Sequence, residues 1–179
     1  MRASSLKTVQ MLILVGVLIC AVVAHAEEQS PLASLLIDLE GWKAEDAENN
    51  SMDLNGMKMM LATRDYTKGD DLSIEVTVFI GNKVLMQGKV AEMTGGDVKS
   101  ETADSRTSVS KIDGFQVYAT YDKENNESDI VVFLVQTETD GALFTFTGEG
   151  VAEKEALELA KKFDWKKMKT EVEKLLKQK

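Results

Sequence analysis

MKMMLATRDYTKGDDLSIEVTVFIG, Met57–Gly81, is the stretch whose reading decides the fold. In its second half Leu72, Ile74, Val76, Val78 and Ile80 alternate with Ser73, Glu75 and Thr77. That period of two is what a strand shows when one face is buried and the other is wet. The first half alternates through Met57, Met59 and Leu61, with Met60 on the other face, and TKGDD between the halves carries the glycine and aspartates of a tight turn. The stretch therefore reads as an antiparallel hairpin with one buried face. Two strands cannot bury that face alone, so the rest of the chain must cover it.

Toward the C-terminus, SRTSVSKIDGFQVYATYDKENNESDIVVFLVQTETDGALFTFTGEG, residues 105–150, predicts three or four more strands with turns at IDG, KENNES and TDG. VAEKEALELAKKFDWKKMKTEVEKLLK then predicts a helix broken near Asp164. Between the hairpin and these strands, Asn82 to Met93 suits a helix through Val84, Leu85, Gly88 and Ala91, closed by TGGD. Toward the N-terminus, Ser30 and Pro31 make a helix start, and PLASLLIDLEGW spaces Leu32, Leu35, Leu36 and Leu39 on one helical face before Gly41. The expected fold is α+β, an antiparallel sheet with helices on its faces.

The opening MRASSLKTVQMLILVGVLICAVVAHAEEQS has the basic Arg2 and Lys7, an apolar run from Met11 to Val23, and small Ala24 and Ala26. It reads as a signal peptide, residues 1–26, cleaved after Ala26 and followed by one domain over 27–179. Bulky Ile19 before Cys20 argues against lipidation there. The apolar run is shorter than the about 20 residues a membrane span needs, so no stable membrane insertion is expected after cleavage. The protein is then expected in the periplasm or outside the cell.

Cleavage changes the available chemistry, because Cys20 is the sole cysteine and His25 the sole histidine. Without them there is no thiolate nucleophile, no Ser-His or Cys-His pair and no disulfide, nor any His-ligated metal. Pairs of carboxylates remain as a route to glycoside hydrolysis. The acids, however, fall mostly in turns and on helix faces, where they read as solvation. Arg2 and Lys7 are two of the 21 basic residues, so the processed chain carries 19 against 30 acidic ones, a formal charge of −11. No nucleic-acid partner is expected for such a chain. Lysines gather in KKFDWKKMKTEVEKLLKQK, residues 161–179, where they suit a helix end; a docking tail for an acidic partner is the sharper reading.

Three patterns imitate known sites. GEGVAE, Gly148 to Glu153, lacks the third glycine of a dinucleotide fingerprint and reads as a turn. DKENNESD from Asp122 lacks the glycine and glutamate of a calcium loop and reads as a hairpin turn. The sequons at Asn49 and Asn126 are too short to carry weight. A fourth pattern is MDLNGMKMM, with Met52, Met57, Met59 and Met60. The adopted reading is a strand face filling the core, with Met86, Met93 and Met168 at apolar helical positions. The alternative is a methionine-based Cu(I) protein, Met52 folding back over the LNG turn toward Met57 and Met59.

LEGWKAED, RDYTKGDDLSIEVTVFIGN, KIDGFQVYATYD and GALFTFTGEGVAEKEALELAKKFDWKKM together resemble a group of small exported bacterial proteins with a PsbP-like α/β/α sandwich. The resemblance spans nearly all of the chain after the signal and implies an accessory or binding module without catalytic residues. The functional expectation is a non-enzymatic binding protein for a protein or small ligand. It assigns no catalytic, cofactor or metal residues and no cofactor. Its expected surface is a sheet margin or the groove beside the C-terminal helix, anchored by Phe163, Trp165 and Met168. Against that anchoring role, helical spacing makes Trp165 a seal on the core, and Trp42 a cap on the sheet.

Overall fold

The computed structural model describes residues 31–178 except 55, 56, 85 and 87–99. The signal peptide and most of the predicted 82–93 helix, including Met93, lie outside the described residues; residues 83, 84 and 86 are helical. The strands are β1 (Lys43–Ala44), β2 (Glu48–Leu54), β3 (Met57–Lys68), β4 (Leu72–Asn82), β5 (Ser100–Glu101), β6 (Ser105–Ile112), β7 (Phe115–Asp122), β8 (Glu127–Gln136) and β9 (Asp140–Glu149). Two helices follow, α1 (Glu153–Ala160) and α2 (Trp165–Lys177).

The predicted hairpin is β3–β4, with Lys68 opposite Leu72 and Met60 opposite Ile80, but the expected core-filling row is a correction: Met60, Ala62 and Tyr66 form the buried face of β3, and Met59 and Leu61 fall on the other face. All pairings are antiparallel in one sheet ordered β1-β3-β4-β9-β8-β7-β6-β5, and β2 continues the edge that β1 begins along β3. Because the pleat alternates, each row of partners shares a face. Ile80–Ala142, Val78–Phe144 and Val76–Phe146 form rows of one inner face, continued onto β8 at Val132 and Ile130. A bulge between Phe133 and Val135 inserts Leu134, which turns inward to join the same core.

α1 and α2 cover this inner face with Ala156, Leu159, Ala160, Phe163, Trp165, Met168 and Val172, all buried. Phe144 stands at the centre. Its ring centroid lies 5.3 Å from Phe163 and 6.1 Å from Trp165. Tyr66 meets Phe163 edge-on at 6.3 Å, and Phe115 meets Trp165 at 6.0 Å. A chain of five rings thus crosses the core from β3 to β7.

The predicted helix over Leu32–Leu39 is a correction. Only Ala33–Leu35 form a 3₁₀ turn, and Leu36 is already extended at φ −89°, ψ 91°. All four leucines are nevertheless buried. The carbonyls that a helix would pair internally are taken by β3 instead. Arg64 donates to the Leu36 carbonyl at 2.6 Å and to the Glu45 carbonyl at 2.8 Å, and Tyr66 Oη donates to the Ile37 carbonyl at 2.7 Å. Asp38 completes the clamp by accepting from Arg64 at 2.6 Å. Burial beside these groups pushes the Tyr66 phenol up to about 12, so it stays a donor at neutral pH. Trp42 is half-buried against the core, with Lys68 Nζ 5.6 Å from its ring centroid.

The break near Asp164 is a true helix boundary, since the Asp164 carboxylate accepts from the Lys167 amide and caps α2. Replacing Phe144 by Ala removes the ring that Phe163 and Trp165 pack against. We expect a loss of about 3–5 kcal/mol in urea unfolding, with the far-ultraviolet spectrum of the folded state kept.

Candidate functional site

The groove expected beside the C-terminal helix exists, but its walls are not the expected ones. Phe163, Trp165 and Met168 are 1%, 4% and 1% exposed, so they close the core instead of offering anchors. The Trp165 indole Nε1 is buried without a hydrogen-bond partner among the described residues. A bare donor of this kind costs about 1–3 kcal/mol, which burial of the large ring offsets.

The groove itself holds about 510 Å³ and is lined by Asp113, Gly114, Gln116, Phe133, Gln136, Lys166, Lys169 and Thr170, among others. It begins at the β6–β7 turn. Asp113 and Gly114 take φ of 50° and 91°, the two left-handed residues of a tight hairpin turn, which brings Phe115 opposite Ile112. Its other wall is the first two turns of α2, where Thr170 Oγ1 donates back to the Lys166 carbonyl. Gln116 Nε2 is held by the Tyr118 hydroxyl at 2.7 Å. A second recess of about 300 Å³ shares Asp113, Phe115 and Lys166 and adds Lys161, Lys162, Asp164 and Trp165.

Four lysines therefore border these two hollows, against Asp113 and Asp164, whose carboxylate is already committed to the helix cap. Lys169 reaches Glu173 only at 3.8 Å, and Lys161 pairs with Glu158 at 2.9 Å on an exposed surface. Lys162 and Lys166 form no ion pair among the described residues. On a chain this acidic, the end of the sheet beside α2 is a local cationic surface.

The outer face of the sheet carries an apolar cluster of Met86, Val131 and Leu143 at one end and, toward the other, rows of polar residues that the sequence analysis did not place together. Register puts Glu75, Thr147, Asp129 and Thr120 in one row, and Glu149, Glu127 and Asp122 in the next. Thr147 Oγ1 donates to Asp129 at 2.7 Å, and Thr63 and Thr77 hydroxyls meet at 3.0 Å. Burial holds the Asp129 carboxyl above the usual carboxylate range, the Thr147 hydrogen bond opposing it. Burial and then Asp129, Glu149 and Asp122 raise Glu127 likewise, and burial with Glu45 and Glu48 raises Asp65. The alternation of Glu75 and Thr77 between the apolar residues of β4 marked this face as wet, but only the cross-strand register brings its acids into one row.

The imitated patterns resolve as turns. The Asp122 carboxylate accepts from the amides of Glu124 and Asn125 and from Asn125 Nδ2, which fixes the β7–β8 hairpin. Gly150 has φ 72°, and a Cβ there would stand 2.6 Å from the Asp71 carbonyl oxygen, so its glycine serves a close backbone crossing. Asn49 lies in exposed β2, and Asn126, at φ 52°, accepts from the Tyr121 hydroxyl.

Among known proteins, no family model, curated protein or solved structure matches this chain. Among the described residues, no helix is long and apolar enough to cross a membrane.

A carboxylate whose folded pKa is raised binds its proton more readily in the folded state. Its cost to stability is present at neutral pH and is relieved as pH falls through the folded value toward the ordinary carboxylate range. Asp129→Asn should therefore raise the melting temperature at pH 7, and the advantage should shrink toward pH 4. Melting curves of both proteins at the two pH values check this, and an advantage that grows in acid refutes it.

Proposed function

We propose that the chain is an exported, non-enzymatic binding or accessory protein of PsbP-like build, working in the periplasm or outside the cell after cleavage following Ala26. Its ligand is an acidic segment of a partner protein, held in the groove between the β6–β7 turn and α2. The observation that carries this reading is the groove's charge. Lys162 and Lys166 lack ion-pair partners among the described residues, and they border the two adjoining hollows on a chain of formal charge −11 after processing. Excess negative charge repels an acidic partner elsewhere and leaves this end as its docking point. The non-enzymatic part rests on the side-chain inventory, since the processed chain holds neither cysteine nor histidine.

Export is tested by fractionating the native host and measuring the intact mass. A mature protein beginning at Glu27 in the envelope or medium supports the reading, and an unprocessed cytoplasmic chain overturns it. The groove is tested by titrating a six-glutamate peptide into ¹⁵N-labelled protein. We expect saturable shifts at Gly114, Gln116, Lys166 and Lys169 that vanish in Lys166→Glu/Lys169→Glu. Shifts of equal size at Lys174 and Lys177, at the far end of α2, would reduce the effect to general attraction and reject the groove.

A further inference from the structure

The β2–β3 hairpin places Met52 directly opposite Met59, with Ser51 opposite Met60 and Leu54 opposite Met57. Partners across an antiparallel pair share a face and have Cβ atoms about 4.5–5.5 Å apart. Methionine has three rotatable bonds beyond its Cα, so two such thioethers reach a common point above the strands.

Burial separates this pair from the other methionines. Met86 and Met168 are 2% and 1% exposed, as core fillers must be, whereas Met52 is 56% exposed and Met59 is half-buried. Packing explains the first two and leaves Met52 without a reason to be apolar. The neighbouring strand makes room for Met59: its Cγ lies 3.6 Å from where a Cβ on Gly81 would stand, on the outer face away from α1 and α2.

We infer that Met52 and Met59 form a binding site for a soft monovalent cation, Cu(I), with Ag(I) able to take the same place. Thioether sulfur is neutral, polarizable and selective for such ions. Unlike a thiolate or an imidazole it does not titrate, so the site is independent of pH over the range in which the fold persists. The hairpin lies at the sheet edge formed by β1 and β2, away from the lysine groove beside β7, and the inference stands whether or not that groove binds a peptide.

The test uses the exported protein labelled with ¹³C at the methionine methyls and titrated with Ag(I) nitrate in chloride-free buffer. The Met52 and Met59 signals, assigned from Met52→Leu and Met59→Leu, should move together and saturate, while those of Met86 and Met168 stay fixed. Native mass spectrometry should count one ion, and anaerobic Cu(I) should move the same two signals. Met52→Leu/Met59→Leu should weaken binding by about tenfold or more with an unchanged thermal melt, because Met52 is exposed and leucine preserves the apolar character at both positions. Unmoved signals, unaltered affinity in the double variant, or shifts that first appear at Met86 and Met168 would each overturn the site.

Discussion

Everything in this fold depends on the inner face of the sheet being covered by two short helices through one aromatic contact. Phe144 projects from β9, in the middle of the sheet order, and meets both Phe163 before α2 and Trp165 at its start. Those residues flank Asp164, whose cap fixes where α2 begins. The direction of α2, and with it the placement of Lys166 and Lys169, is therefore set from inside the core. A surface groove inherits its shape from ring packing beneath it, which is why its lysines are held on a rigid element and not on a free tail.

How much of this was legible in the sequence follows from how local each signal is. The β3–β4 hairpin and the later strands were readable because alternation and turn residues are properties of neighbouring positions, as in Ile74 to Ile80 and the Asp113–Gly114 turn. The helix over Leu32–Leu39 was misread for a physical reason. The spacing of the leucines is helical, but Arg64 and Tyr66, about 30 residues away in sequence, take the Leu36 and Ile37 carbonyls. Long-range hydrogen bonds overrode local periodicity while keeping the same side chains buried. β2 was missed because ENNSMDL is polar at most positions and sits at a sheet edge, where burial writes no pattern.

The candidate site was legible in part. The groove beside the C-terminal helix was anticipated, but its apolar anchors were not available, because the same helical spacing that marked Phe163, Trp165 and Met168 as prominent also directs them inward. The lysines anticipated as helix-end residues line it instead. Charge in this protein is unevenly placed: on adjacent strands of the outer face burial raises the proton affinity of Asp129 and, with neighbouring carboxylates added, of Glu127, whereas four lysines border the hollows at the helical end. A local cationic surface of this kind orients an approaching acidic group before any contact forms.

The methionines show what burial adds to composition. In the sequence, four of them within nine residues have two explanations of equal chemistry, because a thioether is both a flexible core filler and a soft ligand. Burial breaks the tie residue by residue. Met60 packs against the main core and Met86 sits in a smaller cluster with Val131 and Leu143, so both are accounted for by packing. Met52 is not, because a side chain more than half in water gains little from being apolar. Its partner across the ladder is another methionine, Met59. An edge strand gains nothing from such a pair as a packing device, since hydrophobic side chains at an open edge invite association with other chains. On the inference drawn above, the pair is two neutral, soft donors on paired strands, in a described region that holds neither cysteine nor histidine to compete for the same ion.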